Sequence, residues 1–150
     1  MTQGEQPIVL DTDVVSELAR SRPDPEVVAY LRRVSHRTLI TTVVLGEIHL
    51  GVELLDEGRR KVELRRHADS VREAYRQRTI PFTAEAAQHY AASVAQLQAQ
   101  GLTMSANDAY IAASTVTSNA QLATLNIKDF ENYPGLDVID PRAGHGQSSS

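Results

Sequence analysis

The chain has 150 residues, 41% hydrophobic and 23% charged, with no Cys and no Trp, the composition of one compact domain long enough to carry a core without staples. The lack of cysteine excludes disulfides, thiolate zinc sites, iron-sulfur clusters and a cysteine nucleophile, which leaves oxygen, imidazole and amine groups for any chemistry. The net charge of −4 argues against a nucleic-acid partner only as an average, because residues 1–78 hold 13 basic and 13 acidic side chains while residues 79–150 hold 2 and 6.

The N-terminal residues 1–7 lack the basic and apolar parts of a signal peptide, and no apolar run approaches the ~20 residues that span a bilayer. The expectation is a cytoplasmic protein without a membrane partner. Ile8-Val9-Leu10 is a short apolar run ended by Asp11, a strand feeding a helix for which Asp13 is the expected N-cap. Pro23-Asp24-Pro25 breaks the chain and opens a second helix, with Asp24 as cap, Pro25 at the first helical position, and Val27, Val28, Leu31 and Val34 on one face. Residues 38–41 are the next strand. From residue 42 to 55, Val44, Ile48, Val52 and Leu55 recur at helical intervals.

Residues 59–78 form a charged helix with a thin apolar seam of Val62, Ala68, Val71 and Tyr75; eight basic residues fall in it. It reads either as a solvated, ion-paired helix or as a stripe that contacts phosphates. Residues 80–82 are a brief strand, 83–100 an Ala-rich helix stopped by Gly101, and 107–118 another helix. Residues 121–124 and 137–139 supply the last strands, and 143–150 read as a flexible tail after a domain covering 1–142. Strands alternating with helices predict an α/β fold, a mainly parallel sheet of about five strands covered on both faces, with ligands bound beyond the carboxyl ends of the strands.

The informative residues are acids that local structure does not call for. Asp11 ends an apolar strand, where burying its charge costs several kcal/mol without compensation. Glu47 lies beside the buried stripe of its helix rather than opposite it, and Gly46 and Gly51 on the same helix, each costing about 1 kcal/mol relative to Ala, suggest that something approaches that face closely. Asp108 opens its helix and Asp129 follows a strand, each ordinary when taken alone. Together, two strand ends, a helix start and a mid-helix position can converge at one rim of a parallel sheet. Carboxylates gathered at roughly 5 Å repel by about 3 kcal/mol per pair at an effective dielectric of 20, so such a cluster calls for a cation. Oxygen ligands suit Mg²⁺ or Mn²⁺, and that pairing points to metal-assisted phosphodiester hydrolysis. The histidines show no paired ligand spacing, and no phosphate-loop, dinucleotide or nucleophile-elbow motif is present.

The strings that carry these acids are Val9-Leu-Asp11-Thr-Asp13-Val-Val-Ser-Glu-Leu18, Thr42-Val-Val-Leu-Gly-Glu47-Ile-His-Leu-Gly51, Asp108-Ala-Tyr-Ile-Ala-Ala113, and Ala123-Thr-Leu-Asn126-Ile-Lys-Asp129-Phe130 followed by Val138-Ile-Asp-Pro141. In that order they resemble a PIN domain, specifically the VapC toxins of toxin-antitoxin pairs in their FitB-like branch. The resemblance implies a PIN-like fold, an Mg²⁺-dependent endoribonuclease, a homodimer, and a VapB-like antitoxin that wraps the toxin and reaches into the acidic pocket. By position, it makes Asp11, Glu47, Asp108 and Asp129 the catalytic, metal-binding acids, supported by Thr12, Asp13, Thr124 and Asn126. The family commonly has Arg where this chain has Leu125, which removes one expected contact to phosphate or antitoxin. Arg20, Arg32, Arg33, Arg59, Arg60 and Lys61 are the candidates for RNA or dimer contacts. The competing readings are a non-catalytic binding module with the same fold and a nuclease acting on DNA.

Overall fold

The computed structural model describes residues 6–143; the tail expected from 143 onward falls almost wholly outside the described residues. Five strands, β1 (Ile8–Leu10), β2 (Thr38–Thr41), β3 (Thr79–Ile80), β4 (Gln121–Ala123) and β5 (Val138–Ile139), form one sheet in the order β3-β2-β1-β4-β5. Every pairing is parallel. The central strand β1 is buried along its whole length, which an all-apolar Ile-Val-Leu run suits because both faces of a parallel sheet are covered. The cover consists of α1 (Thr12–Glu17), α2 (Pro25–Val34), α3 (Thr42–Glu53), α4 (Arg59–Ala74), α5 (Ala84–Ala99), α6 (Ala106–Thr117) and the short α7 (Ile127–Phe130). Fully buried Ala109, Ala112 and Ala113 let α6 lie close on the sheet, with Ile111, Ile40, Leu122 and Phe130 filling the core. No described helix is long and apolar enough to cross a membrane.

The helix starts follow capping chemistry. Asp24 accepts from the Glu26 amide with Pro25 at the first helical position, Thr41 caps α3 and Thr83 caps α5. Gly101, at φ 76°, ends the turn after α5, the left-handed geometry that glycine supplies at a helix C-terminus. The buried Glu17 carboxylate accepts the Asp24 amide at 2.8 Å and so fastens the connection from α1 to α2.

Three expectations are corrected, and one element is added. The cap of α1 is Asp11, whose side chain accepts from the Thr12 amide, so Asp13 is free for another task. The helix containing Val62 ends at Ala74 rather than residue 78, and its seam is buried Ala68 and Val71 flanked by half-buried Leu64 and the C-cap Tyr75, with Val62 51% exposed. A Cβ placed on Gly46 or Gly51 would meet nothing within 4 Å, so close packing does not explain those glycines. α7 is a single turn, too short to show periodicity in the sequence. The seam has a direct consequence: Val62→Ser is expected to change stability by less than about 0.5 kcal/mol, whereas Ala68→Leu, overfilling a closed α3–α4 contact, is expected to cost about 1–3 kcal/mol, both read from thermal melts.

Candidate active site

β1 and β4 are paired in register, with Leu10 opposite Ala123. From β1 the sheet runs through β2 to β3 on one side, while β4 leads to β5 on the other. This is the point at which strand order reverses, and open parallel sheets bind ligands in the crevice beyond it. The residues that leave these two strands into that crevice are Asp11 and Thr124.

Asp11 is buried, 6% exposed. One carboxylate oxygen accepts the Thr12 amide at 2.8 Å and the other the Thr124 hydroxyl at 2.8 Å. Burial, then the charge of Asp13 and more weakly that of Asp108, push its pKa up to about 7, against the lowering pull of the Thr124 and Thr12 hydrogen bonds. Thr124 in turn accepts the Asn126 amide at 3.0 Å, which folds the segment after β4 back over the crevice.

Asp13 holds that segment. Its carboxylate accepts the Leu125 amide at 3.2 Å and the Asn126 side-chain amide at 2.8 Å. Burial raises its pKa, and the bonds from Leu125, Val14, Thr124 and Asn126 oppose the rise. Glu47, on α3, is fixed from two sides: the Thr12 hydroxyl donates to Oε1 and the Asn107 side-chain amide donates to Oε2 at 3.1 Å. These donors place Glu47 at the rim without any help from its neighbouring glycines.

Asp108 enters from the first turn of α6, whose start is capped by Ser105 accepting the Asp108 amide at 3.1 Å. Burial raises its pKa, and the charges of Asp129, Glu47 and Asp13 add to the rise against the lowering bond from Ser105. Asp129 sits exposed in α7. Asp11, Asp13, Glu47, Asp108 and Asp129 thus form one group in which each carboxylate raises, or is raised by, at least one other. Among the described residues, however, no three acidic or histidine side chains are close enough to make a preformed metal cage.

Two cavities flank the acids. The first, about 580 Å³, takes in Thr12, Asp13 and Glu47 and is walled by Arg20, Arg60 and Arg142. The second, about 510 Å³, contains Asp108 and Asp129. Arg20 and Arg60 therefore face the site, while Arg32, Arg33 and Arg59 are exposed and line neither cavity. Lys61 is corrected: it is 7% exposed, with Nζ 2.9 Å from Glu57 and 3.4 Å from the Glu53 carbonyl, because its aliphatic stem is packed where α4 begins and only the amine reaches out. It is not a free contact for phosphate.

Sequence reasoning missed Asn107 and Arg142. Asn107 gave no signal beyond its place beside Asp108. Arg142 donates to Asp140 and to the Leu125 carbonyl at 2.9 Å, so the first cavity has a guanidinium beside position 125 although the residue there is Leu.

The profile of the PIN domain family matches residues 8–136. The chain is similar to VapC ribonuclease Y4jK of Sinorhizobium fredii, 33% identical over 136 residues, 89% of this chain and 96% of that protein. It is similar to the toxin FitB of Neisseria gonorrhoeae, 31% identical over 125 residues, 82% of this chain and 90% of that protein. Among solved structures, a chain of FitAB bound to an IR36 DNA fragment matches with a TM-score of 0.85 at 29% identity, covering 94% of this chain and 99% of that one.

Proposed function

The chain belongs to the PIN domain family, and from that premise we propose that it is an Mg²⁺-dependent endoribonuclease toxin, neutralised by a cognate antitoxin. The observation that carries this reading is the group of five carboxylates at the switch point of the sheet, in which Asp11 and Asp108 are raised in pKa by burial and by the charges of other members of the group. Such a group loses its repulsion when a divalent cation is bound. The donors are all oxygen, which fits Mg²⁺ or Mn²⁺. The absence of a preformed cage also fits, because Mg²⁺ keeps several waters and is held by one or two carboxylates plus substrate phosphate.

Asp11, Glu47, Asp108 and Asp129 are the acids that would hold the cation, one or two directly and the others through its bound waters. When bound, it supplies an activated water and neutralises charge on the scissile phosphate and leaving oxygen. The other residues keep the acids in place: Thr124 and the Thr12 amide orient Asp11, Thr12 and Asn107 orient Glu47, and Asp13 pins the Leu125–Asn126 segment. Arg20, Arg60 and Arg142 line the first cavity together with Asp13, Glu17 and Glu47. The long, exposed Arg20 and Arg60 side chains, loosely paired with Glu17 and Glu63 at 3.5 and 3.8 Å, are the ones that can turn to the RNA backbone. Similarity to the FitB toxin and to the FitAB complex supports a partner protein acting as antitoxin; a homodimer and a cytoplasmic location complete the reading.

The test offers purified, antitoxin-free protein an RNA and a DNA of the same sequence. Cleavage of RNA alone with Mg²⁺ or Mn²⁺, stopped by EDTA, is expected. Intact RNA under every condition would favour the non-catalytic binding module, and cleavage of DNA would overturn the substrate. These two arginines have their own signature: Arg20→Ala and Arg60→Ala are each expected to lower the slope of log affinity for RNA against log salt by about 0.7 to 1. Lys61→Ala is expected to leave that slope unchanged, as measured by fluorescence anisotropy.

A further inference from the structure

An endonuclease has to hold its strand on both sides of the bond it breaks, and the two cavities beside the acids differ in chemistry. The first is walled by guanidinium groups, suited to phosphates. The second opens on the opposite pair of acids, Asp108 and Asp129, and takes its apolar lining from Leu97, Leu102 and Met104, at the end of α5 and in the loop into α6. At about 510 Å³ it has the size of small-ligand pockets, and its lining is mostly polar, with Thr103, Ser105, Lys128 and Asn132 joining the two acids. Two of those polar groups have no partner within the described protein: the exposed Asn132 side chain makes no hydrogen bond and Lys128 no ion pair, although both line the cavity.

We propose that this cavity is a nucleobase pocket: it seats the unpaired RNA base next to the scissile phosphate, with Asn132 reading the base edge and Lys128 meeting the adjoining phosphate. The proposal rests on the endoribonuclease reading above and adds to it the residues that set sequence preference. The Leu102 and Met104 part of the lining offers an apolar surface to the face of a base, and an amide, at once donor and acceptor, matches the mixed edges that bases present. A base can enter such a pocket only when unstacked, so the strand must be single-stranded at the cut. Lys128 is a point charge beside two acids, placed where a flanking phosphate would otherwise meet only negative charge.

The test maps cuts in a random-sequence RNA with Mg²⁺ for the full chain, Asn132→Ala and Met104→Trp. In parallel, four labelled RNA hexanucleotides that differ only in base are bound in EDTA. The wild type is expected to prefer one base at one position flanking the cut. Asn132→Ala, an exposed substitution, is expected to lower that preference about fivefold by slowing cutting at the preferred base, with the melting temperature of the protein unchanged. Met104→Trp, which fills the pocket, is expected to weaken all four hexanucleotides about tenfold.

An unchanged preference in Asn132→Ala, or a wild type indifferent to base in both assays, would overturn the pocket and leave the enzyme reading intact. If the wild type cuts no RNA yet binds the hexanucleotides with an Asn132-dependent preference, the enzyme reading falls and the pocket stands. The four nucleoside monophosphates serve as competitors. Displacement of RNA by a mononucleotide with cutting unaltered would make the cavity an effector site and overturn its role toward substrate.

Discussion

Asp11→Asn is expected to lower RNA cleavage by about 10³-fold or more, the several kcal/mol that a correctly held cation contributes to phosphoryl chemistry, and at the same time to stabilise the metal-free protein. The second effect follows from the raised pKa. In the unfolded chain the group titrates at 3.8, and in the folded one at about 7. Between those values the folded state binds more protons than the unfolded state, so stability falls as pH rises through the window and stays lost above it. The full shift corresponds to a cost on the order of 4 kcal/mol.

Asparagine at position 11 carries no charge, can accept from the Thr12 amide and can donate to the Thr124 hydroxyl. A net gain of about 2 kcal/mol at pH 8 in EDTA is therefore expected, a rise of roughly 5 °C in melting temperature. The gain should shrink toward pH 5, where the wild-type carboxyl is already protonated. A variant that melts below the wild type at pH 8 would mean that the buried charge is not the strained element it is taken to be.

Binding of Mg²⁺ should be coupled to the same proton. A cation held by Asp11 requires the ionised carboxylate, so below a pKa of about 7 each binding event displaces a proton. The apparent Mg²⁺ dissociation constant is expected to weaken about tenfold for each unit by which pH drops below 7, and to level off above about pH 8. Titration calorimetry in two buffers of different ionisation enthalpy reads the proton directly: about one released at pH 6 and almost none at pH 8.5. An affinity independent of pH across this range would exclude Asp11 as a ligand.

The acids were legible in the sequence because each stands where local structure has no need of it, and their common rim follows from strands and helices that alternate. Tasks set by neighbours distant in sequence were not legible. Asp13 has an ordinary capping position, yet it bonds Leu125 and Asn126, 112 and 113 residues away, a pairing that exists only because β1 and β4 lie side by side. Likewise, Glu47 is placed by Asn107, 60 residues on, and not by the glycines around it. The seam of α4 was legible, and Val62 was the wrong member of it: Leu64, Ala68, Val71 and Tyr75 recur at intervals of four, three and four, whereas Val62 stands six residues before Ala68 and nine before Val71, off that face. Lys61, three residues before Leu64, shares the seam's face and is buried with it.

The claim on which the rest depends is that the acids hold a divalent cation, and the most direct measurement is the melting temperature of the purified chain at pH 8 as Mg²⁺ is added after EDTA treatment. A ligand that binds only the folded state at 100 times its dissociation constant adds about 2.7 kcal/mol, so a rise of roughly 5 to 10 °C is expected for the wild type, with Asp108→Asn showing most of that response lost. A wild-type melting temperature that stays flat up to tens of millimolar Mg²⁺ or Mn²⁺ would contradict the cation site and the endoribonuclease built on it.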